Sequence, residues 1–381
     1  MQSQYSLSRE FRWLAAACLP TGVQAVADGP ARGELCWRRI GRLAIQHQVV
    51  LPLAVACGSG MPPALQAELA SESRFLAAVA MMHVRQLCRV LVAFEAASID
   101  AVLVKGPALS ADVYGSALAR QSNDLDILVR RESVERTRSL LHSLGFTEML
   151  PLEAHLRDAL LETQHECLYR SAGTGICVDL HWDVDTTEIA IDVEELWADA
   201  RPHRFMGRRV MRLSPELEFV LLCAHGSKHG WDRLKWLVDI KVLSDRPLAW
   251  EKVWQLAQEH DATAEVSTAM AVVGAIYGAA EPVPVAIQAI VKRRLARLEH
   301  PPARLTEDSP VRDVGFMLSL PKPWRSRLAL VAAMATRPAE REYRSGRLPP
   351  FMYRIVRLRR VCAIAARMAM ALMRRTMGLS T

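Results

Sequence analysis

The stretch IDAVLVKGPALSADVYGSALARQSNDLDILV, residues 99–129, decides how the chain is interpreted. Its apolar run Ala101–Val104 predicts one strand, and Asp124–Val129 predicts a second. Successive side chains of a strand point to opposite faces, so Asp124 and Asp126 share one face. Two carboxylates so placed repel each other unless a cation lies between them, and Mg²⁺ is bound by such carboxylates together with substrate phosphates. The alternative is a surface strand whose acidic face is solvated.

A third carboxylate lies in a later strand-like segment. The run Ile176–Trp182 places Asp179 and His181 on one face, with Val178 and Leu180 on the other. A charge inside such a run is costly to bury without a partner. Three aspartates on strands are the minimum set for holding two metal ions on a triphosphate during an in-line displacement, and His181 is a secondary candidate.

The turn after the first strand is a candidate phosphate site. Lys105 and Gly106 precede Pro107, which suits the first position of a helix. Free amides at a helix N-terminus attract phosphate, and Lys105 adds positive charge. The alternative is a tight turn with a solvated lysine. Arg120, in a predicted loop before Asp124, reaches the nucleotide phosphates or is a solvated loop residue.

A helix is predicted from Ser214, which is a good N-cap followed by proline. Its end and the residues beyond it carry a polar cluster that either faces the metal cleft or is purely structural: His225, Lys228, His229 and Arg233. Asp239 is placed to orient a neighbouring basic group.

These motifs together resemble a known family. The pattern KG-x₁₇-DLDILV, then VDLHW (178–182) and HGSKHGWDRLKWLVDI (225–240), is similar to the bacterial uncharacterised nucleotidyltransferase family, within the DNA polymerase β-like superfamily. The resemblance implies an α+β fold: a polymerase β-like core, with a mixed sheet and helices, flanked by N- and C-terminal helical regions. It also implies transfer of a nucleoside monophosphate from an NTP, ATP among them, with release of pyrophosphate.

The resemblance assigns roles to residues. Asp124, Asp126 and Asp179 are the expected catalytic residues and ligands of Mg²⁺ or Mn²⁺. The expected nucleotide-binding residues are Lys105, Gly106, Arg120, His225, His229 and Arg233. The family's Gly-Ser is Gly106-Pro107 here, which leaves open a catalytically inactive, nucleotide-binding regulatory module. The acceptor stays open among a small molecule, a sugar, a peptide and RNA.

Three regions are expected along the chain: an N-terminal helical region (1–98), the nucleotidyltransferase core (99–212) and a C-terminal helical region with a basic tail (213–381). Further strands are predicted at Phe146–Leu150 and His165–Arg170.

Net charge and cysteine usage indicate the cellular compartment of the protein and the kind of partner that it contacts. The net charge is +7, but nine arginines and no acid follow Glu342, so the rest of the chain is close to neutral. This tail favours contact with an anionic surface, and an interaction protein that acts through the tail is a third alternative. Eight cysteines without framework spacing indicate reduced thiols and a cytoplasmic protein. The longest clean apolar run, Val266–Ala280, is too short for a membrane span, so no transmembrane segment is expected.

Overall fold

The computed structural model describes residues 7–20, 35–150, 154–278, 283–301, 310–338, 340–343 and 348–376, with side chains of the last helix described as far as Ala363. Ala279 and Ala280 of the predicted apolar run, and Arg344 and Arg347 of the tail, lie outside the described residues.

Helices form the N-terminal region, as expected. They are α1 (Arg9–Ala17), α2 (Trp37–Gln46), α3 (Val50–Cys57) and α4 (Pro63–Ala96). Ser8 caps α1, since its side chain accepts a hydrogen bond from the Phe11 amide. The long helix α4 begins with proline at its first position and passes behind the sheet.

Within the described residues, a seven-stranded mixed sheet forms the centre of the molecule. Its strands are β1 (Ala101–Leu103), β2 (Asp124–Val129), β3 (Phe146–Glu148), β4 (Glu166–Ser171), β5 (Cys177–His181), β6 (Arg201–Phe205) and β7 (Arg208–Arg212), in the order β3-β4-β5-β2-β1-β7-β6. β2 pairs with β5 in parallel and with β1 antiparallel. The α+β class is therefore confirmed.

Four helices belong to the sheet region: α5 (Gly106–Tyr114), α6 (Val134–Ser143), α7 (Ala154–Thr163) and α8 (Val193–Asp199). α5 follows β1 directly and packs against both β1 and β2. The predicted order of strand, Lys-Gly turn and helix is thus confirmed.

The edge hairpin of β6 and β7 was not predicted from the sequence. Its residues carry arginines on both faces, so the segment shows neither an apolar run nor an apolar/polar alternation. Such charged edge strands are protected against pairing with other chains. Only Val102 of β1 pairs with Met211 of β7, which attaches the hairpin to the sheet.

The remaining helices follow the sheet. They are α9 (Pro215–Lys228), α10 (Leu234–Ser244), α11 (Trp250–Glu259), α12 (Thr263–Tyr277), α13 (Val285–Glu299), α14 (Pro310–Ser319), α15 (Trp324–Thr336), α16 (Glu340–Tyr343) and α17 (Pro350–Thr376). Ser214 caps α9, as predicted.

Three apolar cores hold these layers together. The largest joins the N-terminal helices to α9–α14, and a second lies between α4 and the sheet. A small third core contains Leu156, Ala159, Tyr343 and Tyr353 and attaches α17 to α7. The expected boundaries at 98 and 212 remain predictions, and the helices on either side of the sheet region share one core.

Among the residues that the structure describes, one helix meets the length and hydropathy of a membrane span. It is α4, in which 39% of the apolar window is buried inside the protein. The sequence analysis overlooked this window because Arg85 and Arg89 interrupt its apolar run. Core helices of soluble proteins meet the same criterion, so this observation is weak evidence for a span.

Candidate active site

The three predicted aspartates lie on one face of two neighbouring strands. β2 and β5 are parallel, and their register places Asp126 directly beside Asp179. Asp124 precedes Asp126 by two residues on β2 and therefore lies on the same face. The structure thus brings together the three carboxylates that the sequence singled out.

Asp126 is buried and surrounded by two positive groups. Its Oδ1 lies 3.0 Å from Lys105 Nζ and 3.5 Å from His181 Nε2. Burial alone would raise the pKa of Asp126, but Lys105 and His181 outweigh it and hold that pKa well below its usual range. Burial would lower the pKa of His181, but Asp126, Asp179 and Glu166 raise it to about 9. Asp126 is therefore a carboxylate anion held by cations.

Asp179 lacks such compensation. Burial, together with the charges of Glu166, Asp126 and Asp124, raises the pKa of Asp179 to about 7, although His181 opposes this. Its Oδ1 is buried and has no hydrogen-bond partner among the described residues. The pKa of Asp124 is raised as well, first by Asp126 and then by burial. Asp124 and Asp179 are therefore less favoured in the ionised form than Asp126 is.

This arrangement fits a divalent cation. Ligand atoms of Asp126, Asp179 and His181 lie within 4.8 Å of one another. The unpartnered Asp179 Oδ1 is a carboxylate oxygen, the kind of ligand that Mg²⁺ prefers. The Lys105 ammonium already places one positive charge beside Asp126. A bound cation would supply the missing positive charge.

A second group of possible ligands was missed by the sequence analysis. Glu166 Oε2 lies 3.1 Å from His165 Nε2 and 3.3 Å from His181 Nδ1. Burial would raise the pKa of Glu166, but His165 and His181 lower it to about 2. The register was readable in the sequence: counting back from the turn at 171–175 pairs Glu166 with His181, on the same face as Asp179.

The Lys105-Gly106 turn has the conformation that was expected of a phosphate site. Gly106 has a φ of +66°, a left-handed conformation that favours glycine, and it begins α5. Pro107 follows in the first turn, and the N-cap residue Lys105 makes no side-chain hydrogen bond to the amides of the helix start, so these amides can bind an anion. Lys105 is the N-cap residue and extends its ammonium to Asp126.

Arg120 is not the solvated loop arginine of the alternative interpretation. It is buried, and its Nε donates to Asp239 Oδ2 at 2.8 Å. Tyr114 donates its hydroxyl to the other oxygen of Asp239 at 2.7 Å. Asp239 therefore orients a basic group, as predicted, and the charge of Arg120 lowers the pKa of Asp124 nearby.

His225 lies at the carboxylate face and His229 lies behind it. His225 Nδ1 is 3.4 Å from Lys105 Nζ and 3.5 Å from Glu188 Oε1. His229 stacks on Trp236, with ring centroids 5.0 Å apart. Burial and the charge of Lys105 lower the pKa of His225 to about 4, while burial and His225 lower that of His229 to about 2. Both rings are neutral at neutral pH.

Arg233 is buried at the start of α10, close to a lysine that the sequence analysis passed over. Burial, Arg120 and Arg233 lower the pKa of Lys235 to about 7, although Asp239 and Asp124 oppose this. Lys235 and Asp239 are four residues apart on α10, so helical spacing could have placed them on one face. The positive groups around Asp124 thus come from two elements beyond the Lys-Gly turn.

An α+β fold with carboxylates on neighbouring parallel strands and a lysine at a helix start defines a candidate cation-dependent transferase. The family model described as uncharacterised nucleotidyltransferase matches residues 33–278. The chain belongs to this family and is a nucleotidyltransferase, a transferase of nucleoside monophosphates. The match includes the N-terminal helices α2–α4, the sheet and the helices through α12.

No curated protein matches the sequence of this chain. Among solved structures, the chain is similar to the antibiotic-resistance factor ANT(2″)-Ia, at 16% sequence identity and a TM-score of 0.36. That similarity covers 47% of this chain and 91% of the other.

Proposed function

We propose that this chain is a Mg²⁺-dependent nucleotidyltransferase, with Mn²⁺ as an alternative ion, that transfers a nucleoside monophosphate from an NTP to an acceptor hydroxyl. The observation that carries the proposal is the cluster of three aspartates on one face of the sheet. Asp124, Asp126 and Asp179 converge there, with one buried Asp179 oxygen unpartnered among the described residues and a lysine in the position of a cation.

Each residue has a proposed role. Asp124 and Asp126 hold the metal, and Asp179 completes the site on the acceptor side. Lys105 and the amides after Gly106 bind the phosphates. Arg120, which Asp239 orients, adds positive charge that binds the same phosphates. The nucleotide-binding set is completed by His225, His229 and Arg233.

The reaction forms one bond and breaks one. The acceptor oxygen attacks the α-phosphorus of the NTP, the bond from that phosphorus to the bridging oxygen breaks, and pyrophosphate leaves. The acceptor proton passes to Asp179, whose buried Oδ1 has no hydrogen-bond partner among the described residues. A bound metal would neutralise charge on the triphosphate and would lower the pKa of the acceptor hydroxyl. ATP in a bacterial cytoplasm is the expected donor; the acceptor is a small molecule, a sugar, a peptide or RNA.

The first experiment measures label transfer. Purified chain is incubated with each α-labelled NTP, Mg²⁺ or Mn²⁺, and a cell extract as the acceptor pool. We expect labelled product and pyrophosphate from the native chain and none from an Asp124→Asn/Asp126→Asn variant. Asp100→Asn is the matched control, because Asp100 is an exposed aspartate just before β1. Transfer that persists in the double variant would contradict the assignment.

A second candidate is a catalytically inactive module that binds nucleotide for regulation. The Lys105–Asp126 ion pair and Gly106-Pro107 in place of Gly-Ser favour it. It predicts metal-dependent binding of an NTP without pyrophosphate release. Equilibrium binding of a fluorescent NTP, measured beside the transfer assay, separates the two functions.

A further inference from the structure

Two neighbouring helices after the family match leave apolar stripes in water. α15 and α17 pack against each other, and each exposes three large apolar side chains at positions i, i+4 and i+7. The six side chains are Trp324, Leu328 and Val331 on α15, and Phe351, Ile355 and Leu358 on α17. Regular spacing on two helices differs from the scattered single apolar residues of an ordinary surface.

These stripes are not misplaced core faces, because the inward faces of both helices are already occupied. Leu330 of α15 is buried, and Tyr353 of α17 is fully buried against Tyr343. Trp324 is 68% exposed and Phe351 is 62% exposed, although both are large enough to dominate a core. The outward faces therefore have no packing partner among the described residues of this chain.

Arginines flank the stripes and indicate that the partner carries negative charge. Arg325 lies next to Trp324, and Arg354 and Arg359 lie on the exposed face of α17. These three make no ion pair with any carboxylate that the structure describes, whereas Arg337 and Arg360 do, with Asp185 and Glu342. A second copy of the chain would bring arginines against arginines, so the surface fits an anionic partner.

The apolar chemistry separates a lipid surface from a nucleic acid. Aliphatic side chains such as Leu328 and Ile355 gain little from phosphates or base edges, since nucleic-acid interfaces are polar and wet. In contrast, apolar residues with a tryptophan on one face and arginines beside them are typical of helices that lie in the headgroup region of a bilayer. We propose that α15 and α17 form a docking surface for an anionic phospholipid membrane.

The test is co-sedimentation of the full chain with vesicles. Vesicles of phosphatidylcholine alone are compared with vesicles of phosphatidylcholine and phosphatidylglycerol in equal parts. We expect at least about tenfold tighter binding to the anionic vesicles, because each arginine near an anionic surface contributes about fivefold. Arg354→Glu/Arg359→Glu should weaken binding about thirtyfold or more by the same reasoning.

Apolar variants test the stripes themselves. Leu328→Glu and Ile355→Glu should each weaken binding on the order of tenfold, since each puts a charge where apolar surface would be buried. Val285→Glu is the matched control: Val285 is 83% exposed at the start of α13, outside both stripes, and its change should leave binding unaltered. Leu328, Ile355 and Val285 all face solvent, and an unchanged melting temperature verifies folding.

Several results would overturn the proposal. They are equal binding to both kinds of vesicle, binding that survives both apolar variants, and a dimer in sedimentation velocity that Leu328→Glu or Ile355→Glu dissociates. Competition of vesicle binding by RNA with no loss in the apolar variants would assign the arginines to nucleic acid instead. None of these readouts uses nucleotidyl transfer, so their failure is distinguishable from a failure of the proposed activity.

Discussion

Asp179 and Asp185 lie six residues apart, both are largely buried, and their electrostatic surroundings are opposite. Asp185 pairs with Lys228 Nζ at 2.8 Å and Arg337 Nη2 at 2.6 Å. Burial would raise the pKa of Asp185, but Lys228 and Arg337 hold it well below its usual range. Asp179 has a raised pKa and an oxygen without a partner among the described residues. Asp185 therefore belongs to a cluster in which its charge is fully paired, whereas Asp179 belongs to one in which an oxygen is left without a partner among the described residues.

This difference indicates that the charge of Asp185 is structural and that the charge of Asp179 is functional. A buried carboxylate is normally paired, because an unpaired one loses its hydration without replacement. Where several carboxylates stay underpaired, as around Asp179, the missing charge must come from a ligand. The four predictions below test this comparison, from the largest expected effect to the smallest.

Activity should distinguish the two aspartates most clearly. Asp179→Asn should lower nucleotidyl transfer about a thousandfold, since loss of metal-based charge stabilisation costs several kcal/mol of barrier. Asp185→Asn, measured at a temperature where it remains folded, should lower transfer less than tenfold. Steady-state pyrophosphate release measures both. An equal loss of transfer activity in the two variants would contradict the assignment of different roles to Asp179 and Asp185.

Stability should respond in the opposite sense. Asp185→Asn leaves Lys228 and Arg337 without their shared partner and should lower the free energy of unfolding by about 3 kcal/mol or more. Asp179→Asn removes an uncompensated charge and should leave that free energy unchanged or raised at pH 8 without metal. Urea unfolding gives both values. A large destabilisation by Asp179→Asn would show that Asp179 is a structural residue after all.

A buried histidine extends the comparison to a group that is held neutral. His47 Nε2 donates to the Leu298 carbonyl at 2.8 Å, and Nδ1 accepts from the Leu234 amide at 3.2 Å. Burial lowers the pKa of His47 to about 4, and Arg233 contributes to this, although the bond to Leu298 opposes it. Its stabilising effect is therefore present above the ordinary pKa of about 6.5 and is lost as pH falls towards 4.

The expected loss over that range is about 3 kcal/mol. In His47→Gln, the fall in unfolding free energy between pH 6.5 and pH 4 should be smaller by this amount. His300→Gln, at an exposed position, should keep the native pH dependence. Identical pH profiles for all three chains would show that His47 titrates normally in the folded state.

Metal addition should have the smallest effect. At twenty times its dissociation constant, Mg²⁺ should stabilise the native chain by about 1.8 kcal/mol, which appears as a rise in melting temperature of a few degrees. A chelator should reverse the rise. The Asp124→Asn/Asp126→Asn variant should show no rise, and one that matched the native chain would place the ion elsewhere.

Much of the site was readable because strand periodicity is a local property. Asp124 and Asp126 had to share a face once Asp124–Val129 was taken as a strand, and the structure has that strand at the same bounds. The Lys105-Gly106 turn followed from an apolar run that stops at a lysine before Gly-Pro. Family resemblance supplied the role of Asp179 as the third carboxylate, and the pairing of β2 with β5 places it beside Asp126.

The rest depended on long-range packing. Arg120 and Asp239 are 119 residues apart, so their buried ion pair could not be derived from spacing. Glu166 was overlooked although the hairpin register, counted back from the turn at 171–175, pairs it with His181. The hairpin of β6 and β7 lacked any apolar signal, since an edge strand is stabilised by one neighbour and by its charges.

The small size of the core of Leu156, Ala159, Tyr343 and Tyr353 makes local opening of α17 easier than opening of the sheet. Since α17 is attached through this core and through α15, whereas the sheet is stabilised by its own, α17 can detach while β1–β7 stay closed. We expect its amides to exchange hydrogen much faster than those of β2 and β5. Limited proteolysis should cut α17 before it cuts β2 or β5, which leaves a shortened chain with the acidic face intact.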